Sequence, residues 1–131
     1  MASVHREIVV DSPVAEVWEA LADVGALHTR LVRGFVSDVR LEPGSRVVTF
    51  ASGLVARELI VSVDAARRRV AWAVVGGRLS HHNASAQAFA EGDDACRIVW
   101  IADFLPDEHA GAIAEMMEQG LHAMQRTFVR V

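Results

Sequence analysis

Residues 76–89 read GGRLSHHNASAQAF, two adjacent histidines followed by small and polar residues in alternation. His81 leads it, and Asn83, Ser85 and Gln87 follow at alternate positions. Alternate side chains of an extended segment share a face, so these four form one polar stripe. An imidazole titrates near pH ~6.5 and moves protons close to neutrality. Arg57 adds a fixed charge with forked donors, suited to a carboxylate, enolate or carbonyl oxygen. Absent residue types narrow the chemistry further. All 13 basic residues other than histidine are arginine and there is no tyrosine, which excludes a lysine Schiff base and a tyrosine acid. Cys96 stands alone and reads as an inert core thiol. No phosphate-cradling glycine loop or nucleophile-elbow motif occurs. A metal site is not expected. His81 and His82 are strand neighbours pointing to opposite faces, and His109 and His122 lie too far apart along a helix to share an ion.

The elements that must position these groups are legible from periodicity and turn signals. VHREIVV reads as a first strand. DSPVAEVWEALAD then starts a helix, with Ser12 as cap, Pro13 at its first position, and Val14, Val17, Trp18 and Leu21 at helical spacing. GALHTRLV reads as a second short helix. From Gly34 to Phe104, short β-branched runs are broken by turn signals at residues 42–45, 52–53, 64–68, 77–80 and 91–94. Six strands joined as hairpins follow, an antiparallel meander. Pro106 closes the last strand. DEHAGAIAEMMEQGLHAMQRTFV is then a long amphipathic helix, with Asp107 and Glu108 at its positive end. Ile113, Met116 or Met117, Gly120, Met124 and Phe128 fall along one face of it. The fold class is α+β: a curved seven-stranded antiparallel sheet wrapped around a long C-terminal helix, with two short helices after strand 1.

If every turn closes tightly, hairpin arithmetic assigns faces. One face takes Val48, Phe50, Val55, Arg57, Leu59, Val61 and Val63. It continues through Val70, Trp72, Val74 and Gly76 to His81, Asn83, Ser85, Gln87 and Phe89. It ends at Cys96, Ile98, Trp100, Ala102 and Phe104. This face carries the strand tryptophans and is expected to point inward, with Arg57, Gly76, His81 and Phe104 in one row. Gly76 then leaves a gap between Arg57 and His81. The expected ligand-binding set is Arg57, Trp72, Gly76, His81, Asn83, Ser85, Gln87, Trp100, Met117 and Met124. Competing readings stand beside it. Arg57 could pair with Glu108 or Glu115 of the helix, and the polar stripe could be a wet sheet face. Asp103 is expected to point outward and partner His82; a one-residue slip would turn it inward.

The segments SPVAEVWEALAD, RELIVSVDAARRRVAW and CRIVWIADFLPDE, in this order of elements, resemble the START-like (SRPBCC) superfamily, and within it the polyketide cyclase/dehydrase subgroup. The resemblance spans nearly the whole chain and implies the helix-grip fold. It also implies a cavity between sheet and helix for a small hydrophobic molecule, as in lipid carriers. A minority of such proteins are enzymes, including aromatase/cyclases. An enzyme of that kind would use Arg57 to stabilise an enolate oxygen and His81 to shuttle protons. A third class, a protein-interaction module, would need a large exposed apolar patch.

Composition bounds these expectations. The 131 residues suit one domain, 1–131, and 52% are hydrophobic, enough for a real core. A net charge of −4 argues against nucleic acid. No apolar stretch approaches the ~18 residues of a membrane span, no secretion signal is recognisable, and one cysteine suits a reducing cytoplasm. No cofactor is expected, and a homodimer is left open.

Overall fold

The structure, a computed structural model, describes residues 2–129. Strand β1 (Ala2–Val10) leads into helices α1 (Val14–Ala22) and α2 (Leu27–Arg30). Six strands follow: β2 (Val36–Glu42), β3 (Ser45–Phe50), β4 (Val55–Asp64), β5 (Arg69–Val75), β6 (His81–Glu91) and β7 (Ala95–Leu105). A single 3-10 turn, Asp107–His109, precedes the long helix α3 (Ala110–Thr127). The seven strands form one antiparallel sheet in the order β1-β7-β6-β5-β4-β3-β2, so the first strand pairs with the last.

Local chemistry accounts for these boundaries. Val17, Ala20 and Leu21 give α1 its buried stripe, and α1 packs against β6 and β7. Ser12 does not cap the backbone as expected. Pro13 occupies the cap position, and the Ser12 hydroxyl donates instead to the Glu16 carboxylate at 2.7 Å. Pro43 and Gly44 alone link β2 to β3, with Gly44 at φ +71°, a turn geometry glycine adopts without steric cost. Helix α3 packs along β1, where Arg6 of the strand meets Glu118 of the helix at 3.1 Å. Val10, Val17, Ile98, Phe104, Met117 and Leu121 are among the most deeply buried side chains of the core.

The sheet register corrects two strands of the expected inner face. On β4 the inner residues are Ala56, Glu58 and Ile60, opposite Val48, Val74 and Trp72 in that sense of the ladder. Arg57, Leu59 and Val61 therefore look outward. The β3–β4 loop is one residue longer than a tight turn at 52–53 allows, so Val55 pairs with Thr49 rather than Phe50. A β-bulge at Val61 then restores the parity. On β6 the inner residues are His82, Ala84, Ala86 and Ala88, facing Phe104, Ala102, Trp100 and Ile98 of β7. His81, Asn83, Ser85, Gln87 and Phe89 lie on the outer face. Compensating one-residue shifts at the two ends of β6 leave β5 and β7 as expected: Trp72 pairs with Ala84, and Ala86 with Trp100.

Candidate functional site

Between the sheet, the α1–α2 segment and α3 lies a cavity of about 640 Å³. It exists because the inner face of β6 is small where its neighbours are large. Ala84 and Ala86 sit between Trp72 of β5 and Trp100 of β7, and the two indoles converge across them with centroids 6.3 Å apart. From the helix side Ile113, Met116 and Met124 complete the wall, with Phe35 and Phe50 at 5.3 Å edge-to-face beyond them. Gly120 of α3 faces Trp100 so closely that a Cβ there would lie 2.6 Å from the ring.

The polar groups of this apolar chamber come from unexpected positions. Arg46 of β3 and Glu58 of β4 are cross-strand partners on the inner face, and both border the cavity. Their side chains are only 3% and 9% exposed. Nε and Nη2 of Arg46 each lie 2.8 Å from Glu58 Oε1, and Nη1 donates to the Val24 carbonyl at 3.1 Å. The guanidinium also stacks over the Trp72 ring, 5.4 Å from its centroid. Burial pushes the Glu58 carboxyl above the usual carboxylate range, although the Arg46 charge and hydrogen bond pull the other way. His82 lines the chamber from the start of β6, its ring 6.1 Å from Phe104. Burial, and secondarily the neighbouring His81, holds its pKa below the ordinary histidine value.

Of the residues expected at the site, Trp72, Gly76, Trp100 and Met124 border the cavity. Arg57 does not: it is 55% exposed on the outer face and reaches Glu42 at 3.5 Å, not the helix carboxylates. His81 faces outward beside Leu105. Asn83 and Ser85 line a groove of the outer face, and the Gln87 side chain donates to the Arg67 carbonyl at 3.0 Å. Met117 is fully buried in the core rather than on the cavity wall. Asp103 points outward as expected, but it accepts from Ser3 and pairs across the ladder with Asn83, since His82 is on the other face. Cys96 is fully buried, and that burial raises its pKa. Among the described residues no three His, Cys, Asp or Glu side chains are grouped to hold a metal ion.

A family model described as polyketide cyclase / dehydrase and lipid transport matches residues 1–130. The chain belongs to this family. Solved structures carry the helix-grip fold of these cyclase/dehydrase-type proteins across the whole chain. An uncharacterized protein of Bacillus thuringiensis superposes with a TM-score of 0.88 at 15% identity, covering 98% of this chain and 100% of that one. The di-domain ARO/CYC BexL of the BE-7585A biosynthetic pathway gives 0.84 at 14% identity, covering 97% of this chain and 46% of that one. Norcoclaurine synthase of Thalictrum flavum, in complex with dopamine and hydroxybenzaldehyde, gives 0.72 at 16% identity, covering 95% and 84%. No curated protein matches the sequence. No helix among the described residues is long and apolar enough to cross a membrane. Within this cyclase/dehydrase fold, a signal for one member of the missed pair was available. Arg46 heads the β-branched run RVVTF on the same face as Val48 by alternation, whereas Glu58 joins that face only through the observed register of β3 with β4.

Proposed function

We propose that the protein binds one small hydrophobic, partly oxygenated molecule in the cavity between the sheet and α3. The observation that carries this is the chamber itself. Its volume of about 640 Å³ falls within the ~300–1,000 Å³ of small-molecule sites, and two tryptophans wall it around a few polar groups. Protein interiors otherwise pack to crystal density, so a hollow of this size lined by apolar side chains is a feature to be filled. The family description, and a neighbour solved with two small aromatic molecules, support the same reading. Titration with the neutral fluorescent hydrophobe N-phenyl-1-naphthylamine should give saturable one-to-one binding. Native mass spectrometry of freshly purified protein should show a co-purifying small molecule. A folded protein that neither carries a molecule nor saturates with the probe would refute the proposal.

A cyclase-type enzyme is the second reading, favoured by one specific observation. Two titratable side chains with displaced pKa values, Glu58 and His82, border the same chamber. In this reading they, and not Arg57 and His81, exchange protons with a bound carbonyl compound. Turnover of a poly-carbonyl substrate that His82→Gln abolishes while probe binding survives would select the enzyme over the carrier.

A further inference from the structure

We propose that the occupant of the cavity is an uncharged, planar molecule that docks a hydroxyl group, phenolic or enolic, on the Arg46–Glu58 pair, and that carboxylates are rejected there. The inference rests on the cavity being the binding site and adds the chemical class of what fills it.

The argument begins with the arginine. An open guanidinium in an apolar pocket would be a carboxylate trap, because its fork matches two oxygens. Here the fork is already engaged. Two of its nitrogens lie 2.8 Å from Glu58 Oε1, and the third donates to the Val24 carbonyl. The positive charge is matched inside the wall, so the pair presents no net charge to an anion. A ligand carboxylate would bring a second negative charge beside Glu58 in a desolvated site, or would have to displace Glu58 from its partner. A hydroxyl faces neither cost. A carboxylate has about four lone-pair sites, and the two contacts on Oε1 leave acceptor capacity for a donor from the cavity. Bonds to an ionised acceptor are among the stronger hydrogen bonds available.

Planarity follows from the walls next to the pair. The Trp72 ring lies under the Arg46 guanidinium at 5.4 Å and converges on Trp100 at an interplanar angle of 51°. Two flat faces beside a hydrogen-bond acceptor select an aromatic or conjugated skeleton carrying its hydroxyl at one end. The other arginine bordering the cavity, Arg78, is exposed on the β5–β6 loop, where water screens it.

The test uses three matched probes at pH 7, each displacing N-phenyl-1-naphthylamine: naphthalene, 2-naphthol and 2-naphthoate. The expected order is 2-naphthol at least about tenfold tighter than naphthalene, with 2-naphthoate weaker than both. The double variant Arg46→Met/Glu58→Leu removes both charges together, so no buried charge is left unpaired. It should keep naphthalene affinity and bind 2-naphthol no tighter than naphthalene. Saturable naphthalene binding with 2-naphthol no tighter, or with 2-naphthoate equal to or tighter than 2-naphthol, overturns the inference and leaves the cavity reading standing. Persistence of the hydroxyl preference in the double variant also overturns it. Should the variant not fold, the order of the three probes on the natural protein decides alone. Failure of all three to displace the fluorophore, with the fluorophore itself not saturating, refutes the cavity reading beneath it.

Discussion

Two arginines eleven residues apart in the sequence, Arg46 and Arg57, are separated by their surroundings more than by their chemistry. Arg57 is half in water with a partner at 3.5 Å, and exposed pairs of that kind contribute little. Arg57→Ala should change stability by less than ~0.5 kcal/mol and leave probe affinity intact. Arg46→Ala strips a buried carboxylate of its counter-charge, which costs about 3–5 kcal/mol. Urea denaturation of the two variants side by side measures the contrast; equal losses would show that the inner face is misassigned. Gly120 offers a second test at this scale. A Cβ there meets Trp100 at 2.6 and 3.0 Å and Phe35 at 3.3 Å, so the indole must move. Gly120→Ala therefore costs ~1–3 kcal/mol by overpacking, despite alanine's higher helix propensity, and weakens the probe by displacing a cavity wall. A more stable variant would mean that α3 stands off the sheet. The sequence marks Gly120 as a break in the apolar face of its helix, but nothing in it names the ring that fills the space.

At the scale of the element, β6 holds the lesson of the sheet. Its polar stripe and its alanine stripe occupy alternate positions, and alternation alone cannot say which is inside. Tight turns were the only ruler available, and a loop one residue longer before this strand and one residue shorter after it reversed the strand while sparing its neighbours. In β4 the longer β3–β4 loop reversed the strand and the bulge at Val61 spared β5. Such shifts depend on turn geometry and local twist, which single side chains do not encode. Size was the better clue. A strand between two tryptophans that converge must be small on their side, and Ala84 and Ala86 are. Ala84→Leu should fill the hollow and weaken N-phenyl-1-naphthylamine binding at least tenfold, whereas Asn83→Leu, on the opposite face, should leave it unchanged. Fluorescence titration of the two neighbouring variants settles the register; loss in Asn83→Leu alone would reverse it.

For the whole molecule, element order and turn signals were enough to give the seven-stranded sheet around one long helix, because hydrophobic periods and turn residues act locally. The polar end of the cavity was not legible, because it joins β3 to β4 through a register that the loop decides. What the assembled cavity adds is a dependence of global stability on pH. Burial, and then the nearby His81, holds His82 below its ordinary value of 6.5 in the folded chain. Below pH 6.5 the unfolded chain binds this proton before the folded one does, so acidification draws the equilibrium toward unfolding until the folded pKa is passed. Glu58, held above its ordinary value of 4.5, has the opposite sign: the folded chain keeps its proton to higher pH, and its ionisation costs stability as the pH rises. His82→Gln removes the first effect and leaves the second. The stability difference between the natural protein and His82→Gln, from urea denaturation between pH 5 and 8, should be constant above about pH 7. It should move in favour of the variant as the pH falls through 6.5. Parallel curves across that range would mean that His82 is as well solvated as a histidine in the unfolded chain, and that it does not border the cavity.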